Sequence, residues 1–153
     1  MSMTREEHPE RLLKLSDTDL TMLNAAEDVR GRPVLDMEVE EIGVVDELLI
    51  DNREAKVRFL EVVSEGWLDG GAMTFLVPVD AIMRISDKAV FLNQTRQHIA
   101  DAPPYDPSIV YEDMVDQPYF GDVYDHYGQR PYWLPGYAYP SYLDYLYPTF
   151  SLR

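Results

Sequence analysis

Cysteine is absent from this chain of 153 residues. Its absence excludes disulfides, zinc–thiolate sites, iron–sulfur clusters and cysteine nucleophiles. Long apolar runs are absent too: residues 1–10 are polar and charged, unlike a secretory signal, and no run approaches the roughly 20 apolar residues of a spanning helix. We therefore expect a cytoplasmic protein with no transmembrane segment, which meets a membrane only through a partner.

Basic side chains are few. The chain has 13 lysines and arginines against 28 aspartates and glutamates, which gives a formal net charge of -15. A field of that sign repels phosphate backbones and anionic lipid, and no Lys/Arg cluster overrides it locally. We therefore expect no nucleic-acid partner.

The composition changes sharply near Asp101. All 11 tyrosines and eight of the 11 prolines follow that residue, whereas all three lysines precede it. Such a shift marks a boundary between two structural regimes. We divide the chain into an N-terminal arm (1–27), a β domain (28–100) and a Tyr/Pro-rich C-terminal extension (101–153).

The β domain shows short apolar segments separated by turn residues, with no helical periodicity between them. The segment 41–50 alternates apolar and polar residues, although Asp46 breaks the alternation. The turn signal Asp51-Asn52 joins it to the next segment as a hairpin. The predicted strands are 34–35, 41–50, 55–63, 73–77, 82–85 and 89–92. This set predicts a mainly β fold built on a small antiparallel β-barrel, because a barrel closes its edges with few strands.

The extension begins with a proline-rich linker, 101–107, and carries two helix signals. Residues 108–117 are weakly periodic. Residues 116–127 are more strongly so, because Asp116 can cap the helix, Gly128 can end it, and the apolar residues between them form one stripe. After residue 129, prolines recur among tyrosines, so we expect an irregular aromatic tail there.

The extension is too aromatic for an ordinary disordered linker, which is depleted in such residues. Large rings contribute most when they are buried, either on the chain's own barrel or on a neighbouring chain. The sequence leaves both interpretations open. If the rings face a partner, the contact residues are Tyr119, Phe120, Tyr124, Tyr127, Tyr132, Trp133, Tyr137, Tyr139, Tyr142, Tyr145 and Tyr147.

No catalytic pattern is found. His8, His98 and His126 form no HxxxH or HExxH pair and are expected to be solvated or locally hydrogen-bonded. Adjacent carboxylates arise by chance among 28 acids, and Asp46 is expected to form a turn or an inward hydrogen bond to the backbone. No phosphate-binding loop, nucleophile elbow, EF-hand or dinucleotide fingerprint occurs. We therefore expect no catalytic residue, no cofactor and no bound metal.

Several segments resemble the PRC-barrel family in content and order. They are 28–36 (DVRGRPVLD), 41–51 (EIGVVDELLID) and 76–82 (LVPVDAI). The family includes the cytoplasmic part of the photosynthetic reaction-centre H subunit and the C-terminal part of a ribosome-maturation factor. Segments 103–107 (PPYDP) and 125–133 (DHYGQRPYW) also resemble the H-subunit branch.

The resemblance implies a compact β-barrel used for assembly. We expect a non-enzymatic interaction or scaffold protein with protein partners, self-associating into a homo-oligomer. The alternative is an extrinsic cytoplasmic-side subunit of a photosynthetic reaction centre or another membrane electron-transfer complex. The strong negative charge argues against a ribosomal role. Truncation after Ala100 is expected to leave a folded barrel that has lost its partner contacts.

Overall fold

The computed structural model describes residues 12–18, 20–22, 28–64, 72–105, 117–140 and 148–150. The strands in these ranges are β1 (Leu12–Lys14), β2 (Leu20–Met22), β3 (Pro33–Leu35), β4 (Glu41–Asp51), β5 (Val57–Ser64), β6 (Met73–Pro78), β7 (Ile82–Ile85), β8 (Val90–Leu92) and β9 (Pro148–Phe150). The α-helices are α1 (Arg96–Ala100) and α2 (Gln117–His126), and single 3-10 turns span Leu15–Asp17 and Val79–Ala81.

Seven strands form one curled sheet in the order β6-β5-β4-β3-β8-β7, with β1 paired to the far end of β4. The mainly β, barrel-like architecture predicted from the sequence is confirmed. Two details differ. β3 and β8 pair in parallel, which their separation along the chain allows and which hairpin rules do not reveal. Among the described residues no ladder joins β6 to β7, so the barrel is left partly open.

Two bulges interrupt the ladder between β4 and β5. The register shifts at Asp46 in β4 and at Arg58 in β5. An extra residue in one strand changes the side-chain parity at that point, which explains the break in alternation at Asp46. Asp46 is exposed on its bulge. Of the two roles predicted for it, a turn or an inward hydrogen bond to the backbone, the inward one is therefore wrong.

β4 and β5 approach each other closely at Gly43. A Cβ placed on Gly43 would lie 2.3 Å from the carbonyl oxygen of Val63. Because the obstructing atom belongs to the backbone, any side chain would force the two strands apart. The glycine in this segment is therefore required by packing.

Helix α2 fits the prediction of a helix over 116–127 that ends at Gly128. Gly128 adopts a φ of +71°. Its amide donates to the carbonyl of Asp125, and the amide of Gln129 donates to the carbonyl of Tyr124. These two bonds form a Schellman cap, which favours glycine because of the left-handed backbone. The side chains of the predicted stripe that are buried are Phe120, Val123, Tyr124 and Tyr127.

The ends of the chain contribute strands that were not predicted. β1 pairs with β4, and β2 from the arm pairs with β9 from the tail. Each of these strands has three residues, too few to show an alternation of its own. The prediction of no regular structure after residue 129 was wrong at Pro148–Phe150. The predicted helix over 108–117 lies outside the described residues, except for Gln117.

One hydrophobic cluster runs through the arm, the sheet and the extension. It includes Leu15 from the arm, Leu48 and Phe59 from the sheet, and Phe120 and Tyr132 from the extension. Strand β5 is buried along almost its whole length, because the curled sheet covers one face and the extension covers the other. The three-part division of the chain stays a prediction, and the described parts share this core.

Candidate functional site

An arginine from the sheet is buried where the extension packs. Arg58 is 2 % exposed and Asp51 is fully buried. The Nε of Arg58 donates to the Oδ2 of Asp51 at 2.6 Å, and its Nη2 donates to the Oε1 of Glu54 at 2.8 Å. The bulge in β5 directs Arg58 toward Asp51. In a regular strand, the side-chain alternation would have predicted a solvated position for Arg58. A buried charge is therefore compensated within the hairpin.

Three tyrosines of the extension surround the guanidinium of Arg58. Its Cζ lies 4.4 Å from the ring centroid of Tyr132, 5.6 Å from that of Tyr139 and 5.7 Å from that of Tyr137. Distances below about 6 Å allow cation–π attraction, which strengthens when the cation is desolvated. We call Asp51, Arg58 and these three tyrosines the barrel–extension junction.

Hydrogen bonds fix two of these tyrosines to the sheet. The hydroxyl of Tyr139 donates to the carbonyl of Val57 at 3.2 Å, and that of Tyr137 donates to the Oδ2 of Asp80 at 2.8 Å. Burial raises the pKa of Asp80 against the opposing effects of the Tyr137 hydrogen bond and the Arg58 charge. Burial also raises the pKa of Tyr137, and the Asp80 charge adds to that effect. The hydroxyl therefore stays protonated as a donor.

An aromatic stack continues from the junction under helix α2. The ring of Phe59 lies 5.4 Å from that of Phe120 and 5.1 Å from that of Tyr124, measured between centroids. Trp133 meets Tyr124 edge-on at 5.8 Å. Tilted and edge-on pairs at these distances add to the free energy of burial. The extension is thus held by aromatic packing as well as by the caged arginine.

The described part of the predicted aromatic contact set divides into two groups. Buried in the core are Phe120, Tyr124, Tyr127 and Tyr132. Half-buried against the core are Tyr119, Trp133, Tyr137 and Tyr139. Outside the described residues lie Tyr142, Tyr145 and Tyr147. The role of the set in binding a partner stays a prediction, and the second group is partly exposed in this fold.

His98 and His126 form a reciprocal pair between the ends of α1 and α2. The Nε2 of His98 lies 2.7 Å from the carbonyl oxygen of His126, and the Nε2 of His126 lies 2.6 Å from that of His98. The two rings stack at 4.0 Å with their planes 10° apart. Each Nε2 carries a proton and donates it to a carbonyl. The prediction of locally hydrogen-bonded histidines is confirmed for this pair, and His8 lies outside the described residues.

Two buried carboxyls face each other across β4 and β5. Glu47 and Glu61 are direct cross-strand partners and are 7 % and 2 % exposed. Glu47 accepts hydrogen bonds from the hydroxyl of Ser16 and from Arg30. Glu61 accepts one from the hydroxyl of Tyr105 at 2.6 Å. These bonds join the arm and the start of the extension to the sheet.

The surroundings of Glu61 disfavour its charged form. Burial raises the pKa of Glu61, and the charges of Asp46 and Glu47 act in the same direction, while the Tyr105 hydrogen bond and Lys14 oppose them. The folded state therefore binds the proton of Glu61 more tightly than the unfolded state does. The contribution of this group to stability falls as the pH rises from the unfolded pKa through the folded pKa.

Glu61→Gln should therefore stabilise the chain at neutral pH and have little effect below the pKa of an unfolded glutamate. The glutamine keeps an oxygen that can accept from Tyr105 and removes the cost of a buried charge. Urea midpoints of both proteins between pH 4 and pH 8 measure the difference, with the exposed Glu38→Gln as the control. A gap that does not widen with pH would contradict a raised pKa for Glu61 in the folded state.

Three carboxylates approach one another in the turn between β3 and β4. Oxygens of Asp36, Glu38 and Glu40 come within 4.8 Å of one another. The Oδ1 of Asp36, however, accepts from the amides of Glu38 at 2.9 Å and Glu40 at 2.8 Å, and its Oδ2 accepts from the amide of Arg96 at 3.2 Å. We call residues 36–41 the acidic turn. These three hydrogen bonds hold the turn in place, and they account for the burial of Asp36 without a metal ion.

The residues of the junction were not identified from the sequence. Arg58 occupies a polar position in an alternating segment, which predicts a solvated side chain, and the bulge that buries it leaves no mark in the pattern. The tyrosines were noted for their abundance, and their number does not reveal that three of them enclose one cation. The one signal in the sequence was the break in alternation at Asp46, which marks an irregular β4–β5 ladder.

Comparison with known families agrees with the fold. The sequence model of the PRC-barrel domain matches residues 23–99, half of the chain, from before β3 through β8 and nearly to the end of α1. A search of the curated proteins gives no match. Among the described helices none is long and apolar enough to cross a membrane. Strands β3 to β8 of the curled sheet thus lie within the matched domain, and the chain belongs to the PRC-barrel family.

Proposed function

We propose that the chain is a non-enzymatic assembly protein, which binds other protein chains and a second copy of itself through its folded surface. Membership of the PRC-barrel family supports a protein-interaction or assembly role. The observation that carries the proposal is that the buried charged groups form contacts within the fold. Arg58, Asp51 and Glu61 each join one segment of the chain to another, whereas a catalytic site directs such groups into a cleft.

The extension offers a hydrogen-bonded turn as a contact element. Its turn around Leu134 is held by the amide of Leu134, which donates to the carbonyl of Pro131 at 3.2 Å, and by the amide of Tyr137, which donates to the carbonyl of Leu134 at 3.3 Å. Leu134 is exposed, and the half-buried Trp133 packs beside Gly121 of α2. A turn that is already ordered loses little entropy on binding, which favours a role in protein contact.

Native mass spectrometry and sedimentation of the full chain, isolated from its own cells at physiological salt, test this function. We expect a mass above that of the single chain, from self-association, a co-purifying protein or both. A chain that is monomeric at its cellular concentration and retains no protein partner would contradict the proposal.

A second candidate is an extrinsic subunit of a photosynthetic or other electron-transfer complex. Segments 103–107 and 125–133 favour it, because they lie beyond the family match and resemble the H-subunit branch. Tyr105 and Tyr132 from these segments contact Glu61 and Arg58 of the sheet. Membrane fractionation separates the candidates: this role requires co-sedimentation with a membrane complex, and recovery only in the supernatant would eliminate it.

A further inference from the structure

The outer face of the sheet carries apolar side chains that the core does not use. Leu35 in β3, Phe91 in β8 and Val44 in β4 are half-buried. None of them belongs to the hydrophobic core of the described residues or to the half-buried side chains that pack against it. Their neighbours Val34 and Val90 point into that core, so the alternation along β3 and β8 directs Leu35 and Phe91 outward. Burying such surface against another molecule is favourable.

One row of side chains crosses this face over four neighbouring strands. The sheet order places β4, β3, β8 and β7 side by side. Leu35 pairs with Glu41 on one side and with Phe91 on the other. Phe91 pairs in turn with Arg84. Since neighbouring strands lie about 4.8 Å apart, the row is about 14 Å long. We call Glu41, Leu35, Phe91 and Arg84 the outer row.

The two ends of the outer row carry opposite charges. Glu41 and Arg84 are exposed, and neither forms an ion pair with any residue that the structure describes. The guanidinium of Arg84 lies 3.9 Å from the centroid of the Phe91 ring. Met83, next to Arg84 at the bulge in β7, is 54 % exposed. The row therefore offers an apolar centre with a negative charge at one end and a positive charge at the other.

A row with this order of groups is complementary to itself. A second copy can be related to the first by a twofold axis that lies between the two molecules and runs parallel to β3 and β8. Glu41 of each copy then faces Arg84 of the other, and Leu35 faces Phe91. Two equivalent ion pairs thus flank an apolar centre. A twofold axis perpendicular to the strands would instead set Glu41 against Glu41, which the like charges disfavour.

We infer that a second copy of this chain binds the outer face, so that two chains form a symmetric dimer with their outer rows antiparallel and in contact. The inference rests on the proposed function and identifies the surface of self-association. Both copies use the same surface in such an interface, so the assembly closes at two chains and does not grow into a fibre. Aromatic, methionine and arginine side chains, which this face presents, are enriched at protein interfaces.

Sedimentation equilibrium of the full chain over a concentration series at physiological salt measures this dimer. We expect the wild type to reach twice the mass of the single chain and no more. Glu41→Lys and Arg84→Glu should each weaken dimerisation about a hundredfold, because the twofold axis places each substitution in two contacts, at about tenfold for each contact. The controls Asp122→Lys and Arg53→Glu make the same changes of charge at exposed residues of α2 and of the β4–β5 turn. They should leave the dimer unchanged.

Charge exchange gives the second arm. Glu41→Lys and Arg84→Glu combined in one chain should restore the dimer, because each lysine then faces a glutamate of the other copy. Mixing the two singly substituted chains should also give a dimer, in which one contact is the native ion pair and the other is its reverse. A double variant that melts like the wild type but stays monomeric would overturn the inference, and so would a mixture that does not associate.

The remaining outcomes separate the inference from the proposed function. If the wild type associates and Leu134→Asp abolishes association while Arg84→Glu does not, the extension is the interface and the inference is overturned. Growth beyond two chains overturns it as well. If the wild type is monomeric but co-purifies with another protein, the inference is overturned and the assembly function stands. A monomer without any partner overturns both.

Discussion

Replacing Arg58 with methionine should lower the free energy of unfolding by about 3–5 kcal/mol, because removal of one member of a buried ion pair leaves the other charge uncompensated. Asp51 is fully buried and would lose its 2.6 Å bond to the guanidinium. The three tyrosines of the junction would lose the cation that they enclose. Urea denaturation of the full chain, followed by circular dichroism, measures the change.

Arg53→Met is the matched control, because Arg53 lies in the same hairpin with an exposed side chain. It should change stability by no more than about 0.5 kcal/mol. The Oδ1 of Asp51 accepts from the amides of Arg53 at 3.0 Å and Glu54 at 2.6 Å. Adding Asp51→Asn to Arg58→Met should recover part of the loss, since the asparagine oxygen can still accept from these amides and no buried charge remains. A loss below about 1 kcal/mol for Arg58→Met alone would contradict the account, because it would show that the buried charge of Asp51 does not depend on Arg58 for compensation.

Ending the chain after Ala100 should abolish cooperative unfolding. The deletion removes Phe120 and Tyr124 from Phe59 and removes the tyrosines from Arg58. Each buried aromatic ring contributes roughly 1.5–3 kcal/mol by burial, so the loss of several is comparable with the whole stability of a domain, about 5–15 kcal/mol. The sequence alone led us to expect a folded barrel from this truncation. The packing of β5 against the extension reverses that expectation.

A chain that ends at Pro140 is the control for this truncation. It keeps α2, the junction and the turn around Leu134, and among the described contacts it loses the pairing of β2 with β9. We expect it to unfold in a single sharp transition near that of the full chain. A sharp transition and dispersed amide resonances from the Ala100 truncation would instead show a barrel that folds without its extension.

The elements that follow a local pattern could be predicted. The hairpin of β4 and β5 is indicated by alternating apolar residues around Asp51, and α2 by one apolar stripe and a terminating Gly128. Elements that depend on a distant partner could not. Strand β1 has three residues, and its pairing with β4 is decided by packing that no local window contains.

The candidate site also has parts that a local pattern predicts and parts that depend on distant residues. The stripe of α2 indicates that its aromatic residues are buried, but the same stripe fits a contact with the chain's own sheet or with a partner. The packing of Phe120 against Phe59 is decided by the tertiary fold and has no local signal in the sequence. The backbone of Val39 in the acidic turn could not be predicted for a similar reason. Valine is an ordinary strand residue, and its φ of +64° follows from the hydrogen bonds that Asp36 accepts from the amides of the turn.

The central claim is that the extension and the sheet form one folded body with a shared core. Native-state hydrogen exchange of the full chain tests it directly. The amides of Val123 and Tyr124 in α2 should exchange with the same opening free energy as those of Phe59 and Leu60 in β5, because global unfolding would expose them all. Exchange in α2 that is orders of magnitude faster, with β5 still protected, would contradict the claim.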